Sequence, residues 1–121
     1  MTVCPCAHGE PFEHCCGPIL RGDKPAASAL ALMRSRYSAF ATGDTDYLLA
    51  SWHPSTRPEQ LRIDPGDTWV GLDILGSTGG GIFDSEGTVE FRAHYVHNGR
   101  PDELHQNSSF VRLDGRWFFL S

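Results

Sequence analysis

All four cysteines of this chain, Cys4, Cys6, Cys15 and Cys16, lie inside one short stretch, CPCAHGEPFEHCCG, and the rest of the sequence has none. Thiols so crowded either surround one metal ion or cross-link. The spacing is Cys4-x-Cys6, eight residues, then Cys15-Cys16. Soft thiolates at that spacing suit a tetrahedral site with sulfur ~2.3 Å from the metal. Pro5 stiffens the turn between the first two ligands by fixing φ. Gly9 lets the chain double back, and Gly17 frees it after the last ligand. The competing arrangement is a disulfide pair. A Cys15–Cys16 bridge would be a strained vicinal ring, and Cys4–Cys6 has poor geometry. Bridges from Cys4 and Cys6 to Cys15 and Cys16 are sterically feasible. The compartment disfavours them, because MTVCPC has neither the basic start nor the apolar stretch of a signal peptide, and cytoplasmic thiols stay reduced. Metal binding is therefore expected, with zinc as the default for a closed thiolate site and iron as the alternative. His8 and His14 share the loop and are expected to be bystanders beside four thiols.

The 121 residues suggest one domain with a small appendage. Hydrophobic residues at 40% and charged residues at 21% are ordinary for a globular protein. A formal net charge of −5 argues against a general nucleic-acid binder, which needs a basic surface to neutralise phosphates. The apolar runs are far short of the ~20 residues of a spanning helix, so no membrane partner is expected.

The cysteine stretch resembles the SEC-C motif, the small metal-binding tail of the SecA translocation ATPase and of many bacterial proteins. That resemblance implies a metal-binding motif over residues 1–20 with the four cysteines as ligands. Glu10 and Glu13 stand in a region where the motif usually carries lysines, which changes the charge that a partner would meet.

Residues 17–27, GPILRGDKPAA, read as a linker. Over residues 26–42, Leu30, Met33, Tyr37, Phe40 and Ala41 recur at helical steps, and Gly43 is a good stop. Asp44 or Thr45 can cap a second helix carrying Tyr47, Leu48 and Leu49, which ends near Trp52-His53 before Pro54. Residues 54–67 are proline-rich and read as loop. The period then becomes two: Val70, Leu72 and Ile74 form one strand face, and Val89, Phe91, Ala93 and Tyr95 another. GSTGGG at 76–81 reads as a flexible connection. Asn98-Gly99 and Asp114-Gly115 are hairpin signals, with a strand over about 103–113 between them and RWFFL following. Centring the first turn on 98–99 pairs residues whose numbers sum to about 197. Two helices followed by a curved antiparallel sheet give an α+β fold.

This order resembles the cone-shaped fold of the nuclear-transport-factor-2-like (cystatin-like) class, with the domain over residues 25–121. Four stretches, CPC…CCGP at 4–18, ALMRSRYSAF at 31–40, DYLLASWHPS at 46–55 and HQNSSFVRLDGRWFF at 105–119, resemble the YchJ-like family of uncharacterised bacterial proteins. The resemblance implies a SEC-C motif joined to such a cone. The family tends to have Glu where this chain has Gln106, which removes a carboxylate from beside His105.

Folds of this class often enclose a pocket, and six residues are its candidate ligand-binding set: Arg34, Tyr37, Trp52, His53, His105 and Ser108. Arg34 and Arg36 border the helical stripe. Their stems are expected to cover the core edge with the heads wet, Arg34 being the better candidate for an anion contact. His53 at the end of the second helix could serve as an acid or base. The run HQNSS reads either as a solvated face or as polar pocket lining, and Glu90, Arg92 and His94 as a solvated charged face. No catalytic set or phosphate loop emerges. Three functions remain in view. The first is a non-enzymatic zinc-binding module with an unknown protein or small-molecule partner, acting as a monomer or homodimer. The second is a small enzyme with a polar pocket, and the third a thiol-based redox or metal sensor.

Overall fold

The computed structural model describes residues 3–6 and 9–121. In chain order the elements are a 3-10 turn (Phe12–His14), helices α1 (Cys16–Leu20), α2 (Ala29–Thr42) and α3 (Thr45–Ala50), and strands β1 (Asp67–Gly79), β2 (Glu86–His97), β3 (Arg100–Leu113) and β4 (Arg116–Phe119). The strands form one antiparallel sheet in the order β1-β2-β3-β4. This is the expected α+β arrangement of N-terminal helices against an antiparallel sheet.

Ser28 starts α2: its hydroxyl accepts the Ala31 N–H at 3.0 Å, which satisfies one orphan donor of the first turn. The helix therefore begins after the predicted residue 26. It ends at Gly43, whose φ of 79° is the left-handed stop expected there. Asp44 caps α3 through the Tyr47 N–H at 3.0 Å. Residues 16–20 are helical rather than linker. Gly17 does not free the chain but lets it approach closely: a Cβ there would lie 2.8 Å from the Phe12 carbonyl oxygen.

The β2–β3 register follows the turn as predicted, with His94 opposite Glu103 and Arg92 opposite His105. Val89, Phe91 and Ala93 face the helices and are buried with Leu72, Phe110 and Trp117, against Met33 and Tyr37 of α2. Strand β1 departs from simple alternation. Irregularities between Trp69 and Gly71 and between Ile74 and Gly76 shift its phase. Trp69 consequently packs against Tyr37, Phe40 and Tyr95, while Val70, expected inside, is 61% exposed. The second irregularity carries β1 on through Gly76–Gly79, where a flexible connection was expected; Thr78 and Thr88 face each other across the ladder.

Arg36 corrects the expectation of a wet head. It is only 4% exposed. Its Nη1 donates to the Leu48 carbonyl at 2.8 Å and the Ser51 hydroxyl at 2.7 Å, and the guanidinium lies 5.0 Å from the Trp52 ring centroid and 4.4 Å from that of Phe119. Burial pushes its pKa down to about 10. Among the described residues no carboxylate pairs with it, so a carbonyl, a hydroxyl and two aromatic faces hold the charge. Arg36→Ala removes that packing and leaves the Leu48 carbonyl and Ser51 hydroxyl short of a donor. It should lower unfolding free energy by about 3 kcal/mol in urea titration, and a loss under about 0.5 kcal/mol would contradict this role.

At the hairpin end, His97 Nδ1 lies 2.6 Å from an Asp67 carboxylate oxygen, and this contact raises the imidazole pKa above its ordinary 6.5. A raised folded-state pKa stabilises the fold fully below about pH 6.5, and that contribution fades as pH rises through the folded value. Asp67→Asn should return the His97 titration, followed by NMR, toward 6.5; an unmoved midpoint would exclude Asp67 as the cause.

Candidate metal centre

Two backbone contacts fold the cysteine stretch back on itself. Val3 bridges Pro11 in antiparallel sense, and the Cys4 N–H donates to the Glu10 carbonyl at 2.9 Å. Gly9, at φ 88°, takes the left-handed conformation that this reversal needs. The 3-10 turn and α1 then return Cys15 and Cys16 toward the first pair. The four sulfurs all lie within 4.8 Å of one another. Cys6 and Cys15 are 3.6 Å apart and Cys15 and Cys16 3.9 Å. A tetrahedron with ~2.3 Å metal–sulfur bonds has edges of about 3.8 Å, so the donor set fits a single ion. No disulfide joins the cysteines. Cys4, Cys6 and Cys16 are buried and Cys15 half-buried.

The electrostatics point the same way. Burial, with the Cys6 and Cys4 thiols adding to it, pushes the Cys15 thiol up to about 12. Contact with Cys6, then burial, raises Cys16. Such sulfurs do not share a site as bare thiolates, whereas a bound dication reverses this by supplying the missing positive charge.

Helix α2 seals the cluster. The Ser38 hydroxyl, fully buried, lies 3.4 Å from Cys4 Sγ and also reaches Cys16. Arg34 Nη1 donates to the Cys6 carbonyl at 2.9 Å. Residues 34 and 38 are one turn apart, so one helical face grips the knuckle by backbone and by sulfur. Ser38 escaped the sequence reading because a serine inside a helix carries no signal of its own; its spacing from Arg34 was the available clue. His14 is exposed and stands outside the group of four, while His8 lies outside the described residues.

The six pocket candidates are dispersed. Arg34 serves the knuckle, as above. Tyr37 is buried, 6.1 Å from Trp69 between ring centroids. Trp52 packs edge-on against Phe119 at 4.9 Å and bridges it in parallel sense. His53 Nδ1 accepts the Ser55 N–H at 3.0 Å. Ser108 is buried opposite Val89 on the inner face. His105 is on the outer face, 2.8 Å from a Glu90 oxygen. A groove of ≈ 550 Å³ opens between α1, α3 and β4, and none of the six lines it. Leu32, Tyr47 and Trp117 do, with Lys24 and Arg116 among its charged residues.

Residues 28–121 match the YchJ middle NTF2-like domain. This chain belongs to the YchJ-like UPF0225 family. It is 50% identical over 116 residues to UPF0225 protein SCO1677 of Streptomyces coelicolor, covering 96% of this chain and 90% of that one. To a UPF0225 protein of Chromobacterium violaceum it is 49% identical, covering 99% and 91%. Among solved structures it is similar to RPA3114, a SEC-C motif containing protein from Rhodopseudomonas palustris. The TM-score is 0.86 at 37% identity, covering 98% of this chain and 94% of that one. A SEC-C motif containing protein from Psychrobacter arcticus superposes with a TM-score of 0.78 at 26% identity, covering 98% and 80%. Both the SEC-C resemblance and the nuclear-transport-factor-2-like domain expected from sequence are thus those of this family.

In this UPF0225 chain Ser38 acts on the sulfurs from outside the ligand set, where outer contacts commonly tune metal affinity. Ser38→Ala should weaken metal binding about tenfold in a competition with a chromophoric chelator while keeping the stoichiometry. Unchanged affinity would reduce Ser38 to packing.

Proposed function

We propose that this protein is a zinc-binding, non-enzymatic module. The zinc centre is structural and fixes the N-terminus on α2, and the cone offers a surface to a ligand or protein partner. The supporting observation is the closed donor set: four sulfurs at tetrahedral spacing, three of them buried, with a helix hydroxyl and a guanidinium packed against them. Closed four-thiolate sites hold metal for structure, because no position is left open for substrate. When bound, zinc supplies the positive charge that lets four thiolates share a buried site. The protein's own part is to pre-position the sulfurs, exclude water and hold the cluster to α2. Among the described residues, no acid, base and nucleophile converge in a cavity near the centre, which favours a module over an enzyme.

Metal analysis of untagged protein never exposed to chelator should find one zinc per chain. Cys15→Ser and Cys16→Ser should each bring this close to zero. Chelation should lower the thermal midpoint by several degrees, since binding energy at a site absent from the unfolded chain is folding energy. Iron in place of zinc, or Cys–Cys cross-links in the freshly isolated protein, would overturn the structural-zinc reading.

A further inference from the structure

The four cysteines differ in one respect that matters for their chemistry. Cys4, Cys6 and Cys16 are 2%, 0% and 2% exposed, whereas Cys15 is half-buried. The local fold explains the difference. Cys16 opens α1, and its sulfur reaches inward to Ser38. Cys15 lies between the 3-10 turn and α1, at φ −125° and ψ −102°, and belongs to neither element. Its N–H donates to the Phe12 carbonyl at 3.1 Å, and its side chain sits at the outer rim of the cluster. Thiolate character and exposure together decide which cysteine an oxidant or electrophile meets first. Sulfurs that ligate a metal are deprotonated, so in the loaded site exposure alone separates the four.

Geometry also selects a second sulfur. Cys6 Sγ lies 3.6 Å from Cys15 Sγ. Cys16 Sγ is 3.9 Å away, but it is the sequence neighbour, and a bridge between neighbours closes a strained ring. Cys4 is within 4.8 Å, with its sulfur against the Ser38 hydroxyl at 3.4 Å. Arg34 fixes the Cys6 backbone from α2 through its carbonyl, so the adjustment that closes a bond falls to Cys15, outside both elements.

We propose that Cys15 is an oxidation site with Cys6 as its resolving thiol, a two-electron switch whose oxidant is a small peroxide. The Cys15 sulfur attacks one peroxide oxygen. An S–O bond forms, the O–O bond breaks, and the second oxygen leaves as hydroxide. Cys15 is then a sulfenic acid. The Cys6 sulfur attacks the Cys15 sulfur, an S–S bond forms, the S–O bond breaks, and the remaining oxygen leaves as hydroxide. Each hydroxide takes a proton from solvent to become water. The two sulfurs together lose two electrons and the peroxide gains them. Cys4 and Cys16 remain, too few donors for a closed tetrahedral site, so the ion is released. Only this release rests on the zinc reading above.

The test uses the reduced, zinc-loaded full chain. Substoichiometric N-ethylmaleimide should label Cys15 first, as located by tandem mass spectrometry. Excess hydrogen peroxide should give a Cys6–Cys15 bridge, leave Cys4 and Cys16 open to alkylation, and pass the zinc to a chromophoric chelator. A dithiol reductant should restore zinc binding. Cys15→His keeps a ligand but no oxidisable sulfur at that position, and should slow zinc release about tenfold or more. A first label on Cys4, Cys6 or Cys16 would overturn the proposal. So would any bridge other than Cys6–Cys15, or zinc retained through the peroxide treatment. A chain that cannot be loaded with zinc would fail the structural-zinc reading instead, and the order of labelling and the pairing, read on the reduced metal-free chain, would still decide the role of Cys15.

Discussion

The burial of α2 on two sides is the constraint from which the rest of this structure follows. One side, carrying Met33 and Tyr37, sits on the sheet against Phe91, Ala93 and Trp69. The other side receives the cysteine knuckle at Arg34 and Ser38 and the α3 segment at Arg36. A helix buried on one side shows a plain apolar stripe, with the opposite face polar and wet. Here the second side is polar yet buried, because its polar groups bond to other parts of the same chain. Ser35 bonds to Tyr47 at 2.6 Å, Arg36 to the end of α3, Ser38 to the sulfurs, and Arg34 to the knuckle backbone. The cysteine knuckle, α3 and the inner face of the sheet are thereby placed by reference to it.

The contacts from α2 to the knuckle run through the Cys4 sulfur and the Cys6 carbonyl, so the same helix face that seats this segment also touches the cluster that could hold a metal. The short chain around Cys4 and Cys6 has little apolar surface of its own, and Val3 is exposed. Small segments that do bind a metal through such clusters hold their shape through the ion. The cone is different. Its core of Leu72, Val89, Phe91, Phe110 and Trp117 is apolar and continuous across four strands, and the buried Cys4, Cys6 and Cys16 join the edge of the same cluster rather than forming its bulk.

The parts legible in the sequence are those governed by local chemistry. Gly43, Asp44, Asn98-Gly99 and Asp114-Gly115 set helix ends and turns through backbone conformation, and the β2–β3 register followed from one turn. The cysteine cluster was legible because metal ligation demands a fixed set of residue types. Long-range packing was not legible in the same way. The bulge after Trp69 shifts β1 by one residue and exchanges Val70 for Trp69 on the inner face, and nothing in TWVGLDIL announces it. Arg36 and Ser38 looked like ordinary surface positions because the elements that bury them, α3 and the knuckle, arrive from elsewhere. The six pocket candidates were chosen by chemical type, and type alone does not bring side chains from both faces of a sheet into one cavity.

The position of Arg36 carries this logic to the C-terminal end of the chain. A buried guanidinium without a carboxylate is tolerable only if its donors and its ring contacts are fixed, since an unsatisfied charge in the interior is among the costliest features of a fold. Ser51 and Leu48 fix it from the end of α3, and the rings of Trp52 and Phe119, packed edge-on against each other, flank it together. Phe119 in turn is held by the chain running beside α3: its N–H donates to the Ser51 carbonyl at 2.9 Å, and its carbonyl accepts the His53 N–H at 2.8 Å. The last strand is therefore fastened by side-chain chemistry on α2 as much as by its short ladder with β3. One helix thus carries contacts to the cysteine cluster near one end of the sequence, through Arg34 and Ser38, and to the final strand at the other, through Arg36.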